Sequence, residues 1–348
     1  YVFTTQYLKK RIDYGFTYYR SSAAGAVSTN VGDFNAKQFS NLYQATVTYP
    51  FNKIKSLRIN AGVRSDKLVI LANSFTSPLS LELEDIKDKY LLSHIEFVHD
   101  DAITPTLNIW NGLRWKVYMD VNARIKTSGP STGGKKYPTT FNFGFDGRHY
   151  LPLYRNITWA VRAAGDFSWG NQKMIYYLGG VDNWLMFGSN QKADGSFRYF
   201  DANNQPDPDG NYAYQTLAVN LRGFKQNVAN GNNAVVINSE IRVPVFTSLF
   251  NKPINNAFLR NFQIVQFVDL GTAWNGAYDK IERPNVTYVS PPLTFKVKAG
   301  GIGPFAGGYG FGARSTLLGY FMRVDAAWQM NGVFKGKPQW YVAMGLDF

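Results

Sequence analysis

The last ten residues, QWYVAMGLDF (Gln339–Phe348), alternate between apolar and polar or small side chains. Trp340, Val342, Met344, Leu346 and Phe348 fall on one face of an extended chain, and Gln339, Tyr341, Ala343, Gly345 and Asp347 on the other. A period of two marks a β-strand with one apolar face. The pattern returns in GLRWKVYMDVNAR (Gly112–Arg124), where Leu113, Trp115, Val117, Met119 and Val121 oppose Arg114, Lys116, Asp120 and Arg124. In ITWAVRAAGDFSW (Ile157–Trp169), Ile157, Trp159, Val161 and Phe167 oppose Thr158, Arg162, Asp166 and Ser168. Further strands are expected to start near Ile12, Tyr43, Phe141, Val235, Phe262 and Tyr320. No long stretch carries the helical period.

Strand length separates two all-β readings. Strands of a soluble sandwich run to about 5–6 residues. The alternating runs here extend over about 9–13, the length that a tilted transmembrane strand needs. Trp110, Trp169, Trp274, Trp328 and Trp340 sit near run ends, where interfacial girdles are expected. The terminal Phe348 is a common feature of bacterial outer-membrane barrels. A mean hydropathy of −0.25 is compatible, because barrel strands hide their apolar half from window averages. No run approaches the roughly 18 apolar residues of a membrane helix. The 348 residues include no cysteine, which excludes disulfides, thiolate chemistry and Cys-ligated zinc. The sequence is therefore read as all-β: a transmembrane antiparallel β-barrel of about 14–16 strands, lodged in the bacterial outer membrane. Residues 1–348 are read as one barrel domain, the C-terminal part of a longer protein, with strands preceding Tyr1.

In such a fold ionised side chains point into the lumen. The polar faces collect Arg58, Arg64, Arg162, Arg242, Arg323, Asp146 and Asp325, and the chain carries a net charge of +13. Both signs are present, so cross-strand pairing is preferred over an anion path. Polar stretches at Ser21–Phe34, Lys126–Tyr137, Val181–Tyr212 and Asn275–Lys296 are expected to be long external loops. The longest connection joins the strand ending YYLGG (Tyr176–Gly180) to the strand NAVVINSEIRVPV (Asn233–Val245), and it contains LRGF, Leu221, Arg222, Gly223 and Phe224. With Val235, Ile237, Ile241 and Val243 toward lipid, Glu240 faces inward. With Ile264 and Val268 outward, Asp269 also faces inward. A desolvated guanidinium needs carboxylate partners, which it can engage bidentately. The loop is expected to fold into the barrel and dock Arg222 on Glu240 and Asp269.

The ordered set LGG (Leu178–Gly180), LRGF (Leu221–Phe224), NSEIRVPVF (Asn238–Phe246), FVDLGTAW (Phe267–Trp274) and GYGFGAR (Gly308–Arg314), with the closing strand Trp340, Val342, Met344, Leu346 and Phe348, resembles the BamA/TamA-type outer-membrane assembly barrel superfamily. The resemblance implies that the arginine of the RGF motif pairs with acidic wall residues, here Arg222 with Glu240 and Asp269. The first half, with YLKKRIDYG (Tyr7–Gly15), TYPF (Thr48–Phe51), HDDAITPTLNIWNGLRWKVY (His99–Tyr118) and DGRHYLPL (Asp146–Leu153), is similar to the surface-antigen barrels that some Bacteroidota-type proteins fuse after a TolB-like propeller. These residues contain neither client-binding repeats nor a propeller.

The resemblance implies protein insertion or translocation at the outer membrane through a lateral seam. The alternative is a scaffold or pore subunit of a larger envelope transport complex. Expected partners are outer-membrane lipids, lipopolysaccharide and other envelope proteins. The basic charge is dispersed rather than gathered in a stripe, so nucleic acid is not expected. No catalytic, metal or cofactor site is expected. His94, His99 and His149 lack metal-ligand spacing, and His99-Asp100-Asp101 reads as a solvated turn. DANNQPDPDG (Asp201–Gly210) departs from a calcium loop at Gln205 and Pro206. GGIGPFAGGYGFG (Gly300–Gly312) lacks the GK[ST] of a phosphate loop and is expected to permit close strand packing.

Overall fold

The computed structural model describes residues 1–29, 32–71, 85–128, 137–218, 220–250 and 253–348. The backbone is nearly all antiparallel β-structure and falls into two compact units. The first comprises Tyr1–Val98, Tyr118–Asn142 and Gly170–Gln172, and the second His99–Val117, Phe143–Trp169 and Lys173–Phe348. In the first unit β1 (Val2–Tyr7), β2 (Asp13–Thr29), β3 (Gly32–Pro50) and β4 (Lys55–Ile70) pair antiparallel in chain order. β5 (Ile86–Asp100) follows them in the sheet. The short β6 (Ile103–Thr106) pairs back on β7 (Ile109–Ser128), and β8 (Thr139–Tyr154) and β9 (Ile157–Gly170) come next. Charges of the first unit pair across its strands: Arg58 with Glu96 at 3.4 Å, Lys67 with Asp85 at 2.7 Å, His94 with Asp120 at 2.6 Å.

The second unit holds an insertion between two neighbouring wall strands. β9 is followed in the sheet by β13 (Asn233–Pro244), and the chain between them builds a separate three-stranded sheet. There β10 (Lys173–Leu178) runs parallel to β11 (Tyr212–Ala218) and antiparallel to β12 (Ala229–Gly231). From β13 the wall continues through β14 (Gln263–Trp274), then β18 (Phe305–Leu317), β19 (Tyr320–Gln329) and β20 (Gln339–Met344). β15 (Asn285–Ser290) and β16 (Leu293–Lys298) form their own hairpin, and β17 (Gly301–Ile302) pairs with β18. Alternation fixes the two faces of the wall. On β14, Val265, Phe267 and Asp269 are buried while Ile264 and Val268 are 47% and 38% exposed, the apolar surface that a transmembrane strand turns to lipid.

Four sequence expectations are corrected. Ser21–Phe34 is not a long loop, since β2 and β3 run on as a hairpin whose last pair is Thr29 with Gly32. Its small residues lack an apolar alternation, but the ladder is built from backbone groups and tolerates them. The YYLGG segment belongs to the insertion's sheet, not to the wall. Asn275–Lys296 contains the β15 strand and most of β16. Finally, the closing strand ends at Met344. Gly345 turns the chain with φ +112, a conformation favouring glycine. Leu346 stays 42% exposed while Asp347 and Phe348 are both buried, so Phe348 does not share the outer face with Trp340, Val342 and Met344. Residues 129–136 of the expected loop Lys126–Tyr137 lie outside the described residues.

Candidate functional site

Leu221 and Phe224 anchor the loop. Both are buried, in a cluster with Tyr176, Leu178, Val228, Val236 and Ala306. Burying two such side chains stabilises the insertion by about 1.5–3 kcal/mol each. The apolar pair brackets Arg222, so the chain cannot seat its hydrophobic residues without carrying the guanidinium inward. Backbone bonds fix the segment: Gly180 N–H donates to Phe224 O at 3.1 Å, and Asn238 Nδ2 to Asn220 O at 2.7 Å. The Tyr341 hydroxyl on β20 accepts from Gly223 N–H at 3.0 Å and donates to Phe224 O at 2.6 Å.

Arg222 then meets the wall. Its Nε and Nη2 donate to the two carboxylate oxygens of Asp269, at 2.6 and 2.9 Å, and its backbone N–H donates to Oδ2 at 3.1 Å. Nη1 lies 2.7 Å from Glu240 Oε1 and 3.9 Å from Asp325 Oδ2. The guanidinium carbon stands 3.6 Å from the Phe267 ring centroid, a cation–π distance. The register explains the convergence. Asn238 pairs with Asp269 and Glu240 with Phe267 across β13 and β14, so both carboxylates and the ring project from one face of adjacent strands. Burial works against the Arg222 charge, but Asp269 and Glu240 outweigh it and hold its pKa well above the ordinary value.

The cluster extends along the wall. Arg242 pairs with Glu240 at 2.9 Å, Arg314 with Asp325 at 2.6 Å and with Asp347 at 2.9 Å, and Arg323 with Asp347 at 3.1 Å. Guanidinium groups and carboxylates are equal in number, so the buried network is close to neutral, as a low-dielectric interior requires. It also accounts for the inward turn of the C-terminus: Asp347 joins two arginines, and Arg242 donates to Phe348 O at 3.0 Å. The site thus gathers Leu221, Arg222, Gly223, Phe224, Glu240 and Asp269. It adds Phe267, Asp325 and Tyr341, which loop-and-wall reasoning did not single out; only the inward phase of their strands hinted at them. His99 lies outside this cluster. Within β5 it stacks on Trp115 at 5.6 Å and is not solvated, while Asp101, just past the strand end, is exposed.

Close approach of backbones makes two glycines part of the site. Gly223 has φ +95 and packs on Gly308 of β18. A Cβ at Gly308 would sit 1.8 Å from Arg222 O. Gly308→Ala is therefore expected to lift the loop and destabilise the protein by about 1–3 kcal/mol, read as a lower melting temperature and faster cleavage between β11 and β12. Gly25→Ala, whose added atom meets nothing within 4 Å, is the matched control.

These features define a transmembrane antiparallel β-barrel fold with an inward loop clamped by one arginine. It is the fold of BamA. The structure of BamA from Haemophilus ducreyi lacking POTRA domains 1-3 is similar with a TM-score of 0.51 and 13% identity, over 98% of this chain and 60% of that one. CdiB from Acinetobacter baumannii and CdiB from Escherichia coli each give a TM-score of 0.46 at 11% identity, over 99% of this chain and 48% and 52% of theirs. Neither a family model nor a curated protein sequence matches the chain.

Proposed function

We propose that this chain is an outer-membrane barrel that inserts or translocates proteins, using the open edge of its closing strand as the working surface. The fold likeness to BamA and the motif order support the reading, and the edge of β20 carries it. On one side β20 forms a full ladder with β19, from Met322 with Met344 to Ala327 with Gln339. On the other side, among the described residues, it has no strand neighbour. Among the described residues, the backbone bonds to that edge come from a short piece of the insertion: Leu185 N–H donates to Val342 O at 2.8 Å, and Met344 N–H to Asn183 O at 3.4 Å. The second bond is long for an N–H···O contact. A strand edge held this lightly is a template for an incoming extended segment.

In this mechanism Arg222 keeps the insertion seated on the inner wall, and a client strand replaces Asn183–Leu185 on β20. Both halves of the exchange are hydrogen-bonded, so it runs near energetic balance. The motifs of the first half that resemble surface-antigen barrels support the same reading. Outer-membrane lipids, lipopolysaccharide and other envelope proteins are its partners. Purified protein in lipid vesicles, supplied with a urea-unfolded small barrel, tests the reading. Heat-shifted gels are expected to show client folding at least several-fold faster than in empty vesicles. Equal rates in both would favour a scaffold or pore subunit instead.

A further inference from the structure

The buried arginines of the second unit are matched by carboxylates, but one cavity is not balanced in this way. It measures about 720 Å³ and lies beside Gly223 and Phe224. Lys192, Arg198, Lys225, Lys335 and Lys337 line it, against the single carboxylate of Asp201. No carboxylate among the described residues pairs with any of the five. Lys225 is half-buried and donates only to Phe197 O. Burial and the like charge of Lys192 push its ammonium below the ordinary value, against the weaker pull of Asp201 and Asp194. Arg198 donates to Phe187 O at 3.1 Å. With Asp194 close enough to act on Lys192 and Lys225, five cations facing two anions leave a local excess of about three positive charges in a partly enclosed space, which raises the local concentration of anions.

We propose that this cavity binds a ligand bearing two phosphate groups on a compact carbon skeleton. Two phosphomonoesters carry about −3 to −4 together at neutral pH, which matches the excess of the lining. Ammonium and guanidinium groups both form charge-assisted bonds to phosphate oxygens. The carbon skeleton has a place as well: Tyr288, 46% exposed, lines the cavity and offers ring surface there. The volume falls in the range of small-molecule sites. The phosphates come either from a lipid headgroup or from a free soluble compound, and the chemistry of recognition is shared. Binding would tighten the insertion, because Lys225 lies three residues after Arg222 and would gain a direct ion pair.

The test uses the whole purified barrel in detergent with two probes, a bisphosphorylated hexose and a detergent-dispersed lipid with a bisphosphorylated disaccharide head. Titration calorimetry and quenching of tryptophan fluorescence read binding. Saturable binding is expected, weakened at least tenfold by raising salt from about 50 to 500 mM, since screening shortens the reach of exposed charges. Lys225→Gln with Lys335→Gln and Lys337→Gln is expected to lose at least tenfold in affinity. Because Lys225 adjoins the docked loop, Lys335→Gln with Lys337→Gln alone serves as the second variant. Both of those lysines are exposed, and this variant is expected to keep its heat-shifted mobility while losing several-fold. Tighter binding of the lipid probe alone assigns the site to a membrane headgroup, and equal binding of both probes assigns it to the phosphates themselves. Absence of saturable binding up to millimolar probe, or equal affinity in wild type and variants, overturns the proposal.

Discussion

Replacing Arg222 by alanine is expected to release the insertion from the wall and destabilise the protein by about 3–5 kcal/mol, the range for a buried ion pair that loses one partner. The size of the effect follows from what is left behind. Asp269 and Glu240 are fully buried, and both lose their contacts of 2.6 and 2.7 Å to the guanidinium. Asp269 retains the backbone N–H of residue 222 only if the loop stays docked. Arg222→Lys is expected to recover little, because one ammonium cannot reproduce the two-point contact with Asp269 and the separate contact with Glu240. Pairing Arg222→Ala with Asp269→Ala is expected to cost less than the sum of the single changes, since each removes the other's partner. Limited proteolysis between β11 and β12 and the heat-shifted gel mobility read the result. Unchanged protease resistance in Arg222→Ala would show that the clamp does not hold the loop.

A disulfide between positions 184 and 343 is expected to switch activity off, by tenfold or more, and a reductant to restore it. Trp184 and Ala343 form an isolated antiparallel bridge. The bonds on either side of it, Leu185 to Val342 and Met344 to Asn183, mark a non-hydrogen-bonded pair. Such a pair brings Cα atoms to about 4.5 Å, within the reach of a disulfide. The chain has no cysteine of its own, so Trp184→Cys with Ala343→Cys forms one bond only. Oxidised protein keeps Asn183–Leu185 on the edge, and a client strand finds it occupied. Reduced protein also lacks the Trp184 ring, which packs 4.7 Å from Tyr341, so its edge is expected to open at least as readily as in wild type. Equal client folding in the oxidised and reduced forms would remove the edge of β20 from the mechanism.

The wall was legible because one face of each strand is apolar. On β13 and β14 the phase set by Val235, Ile237, Ile264 and Val268 carries Glu240 and Asp269 to the opposite face without any knowledge of the partner strand. The third acid, Asp325, has the same inward phase on β19, but its approach to Arg222 depends on β18 lying between β14 and β19, an order that no local pattern encodes. Runs without alternation misled. Lys173–Leu178 is a short apolar segment that reads equally well as a wall strand or as the centre of a small buried sheet, and it is the latter. Ser21–Thr29 is too poor in large side chains to signal a strand. At the C-terminus the alternation continues through Phe348 in sequence and puts Asp347 inward, where Arg314 and Arg323 hold it, yet the strand stops at Met344 and Phe348 is buried as well. Charge complementarity between remote strands decided that segment, and it is visible only in three dimensions.

The central claim, that this barrel serves the insertion or translocation of other proteins, is tested most directly by depleting it in its native host and measuring folded outer-membrane barrels by heat-shifted gels and mass spectrometry. A fall in barrels that are its clients is expected, with their unfolded forms accumulating before growth slows. An unchanged barrel population, with loss of a single envelope complex or transport activity, would contradict it and leave a scaffold built on the assembly fold.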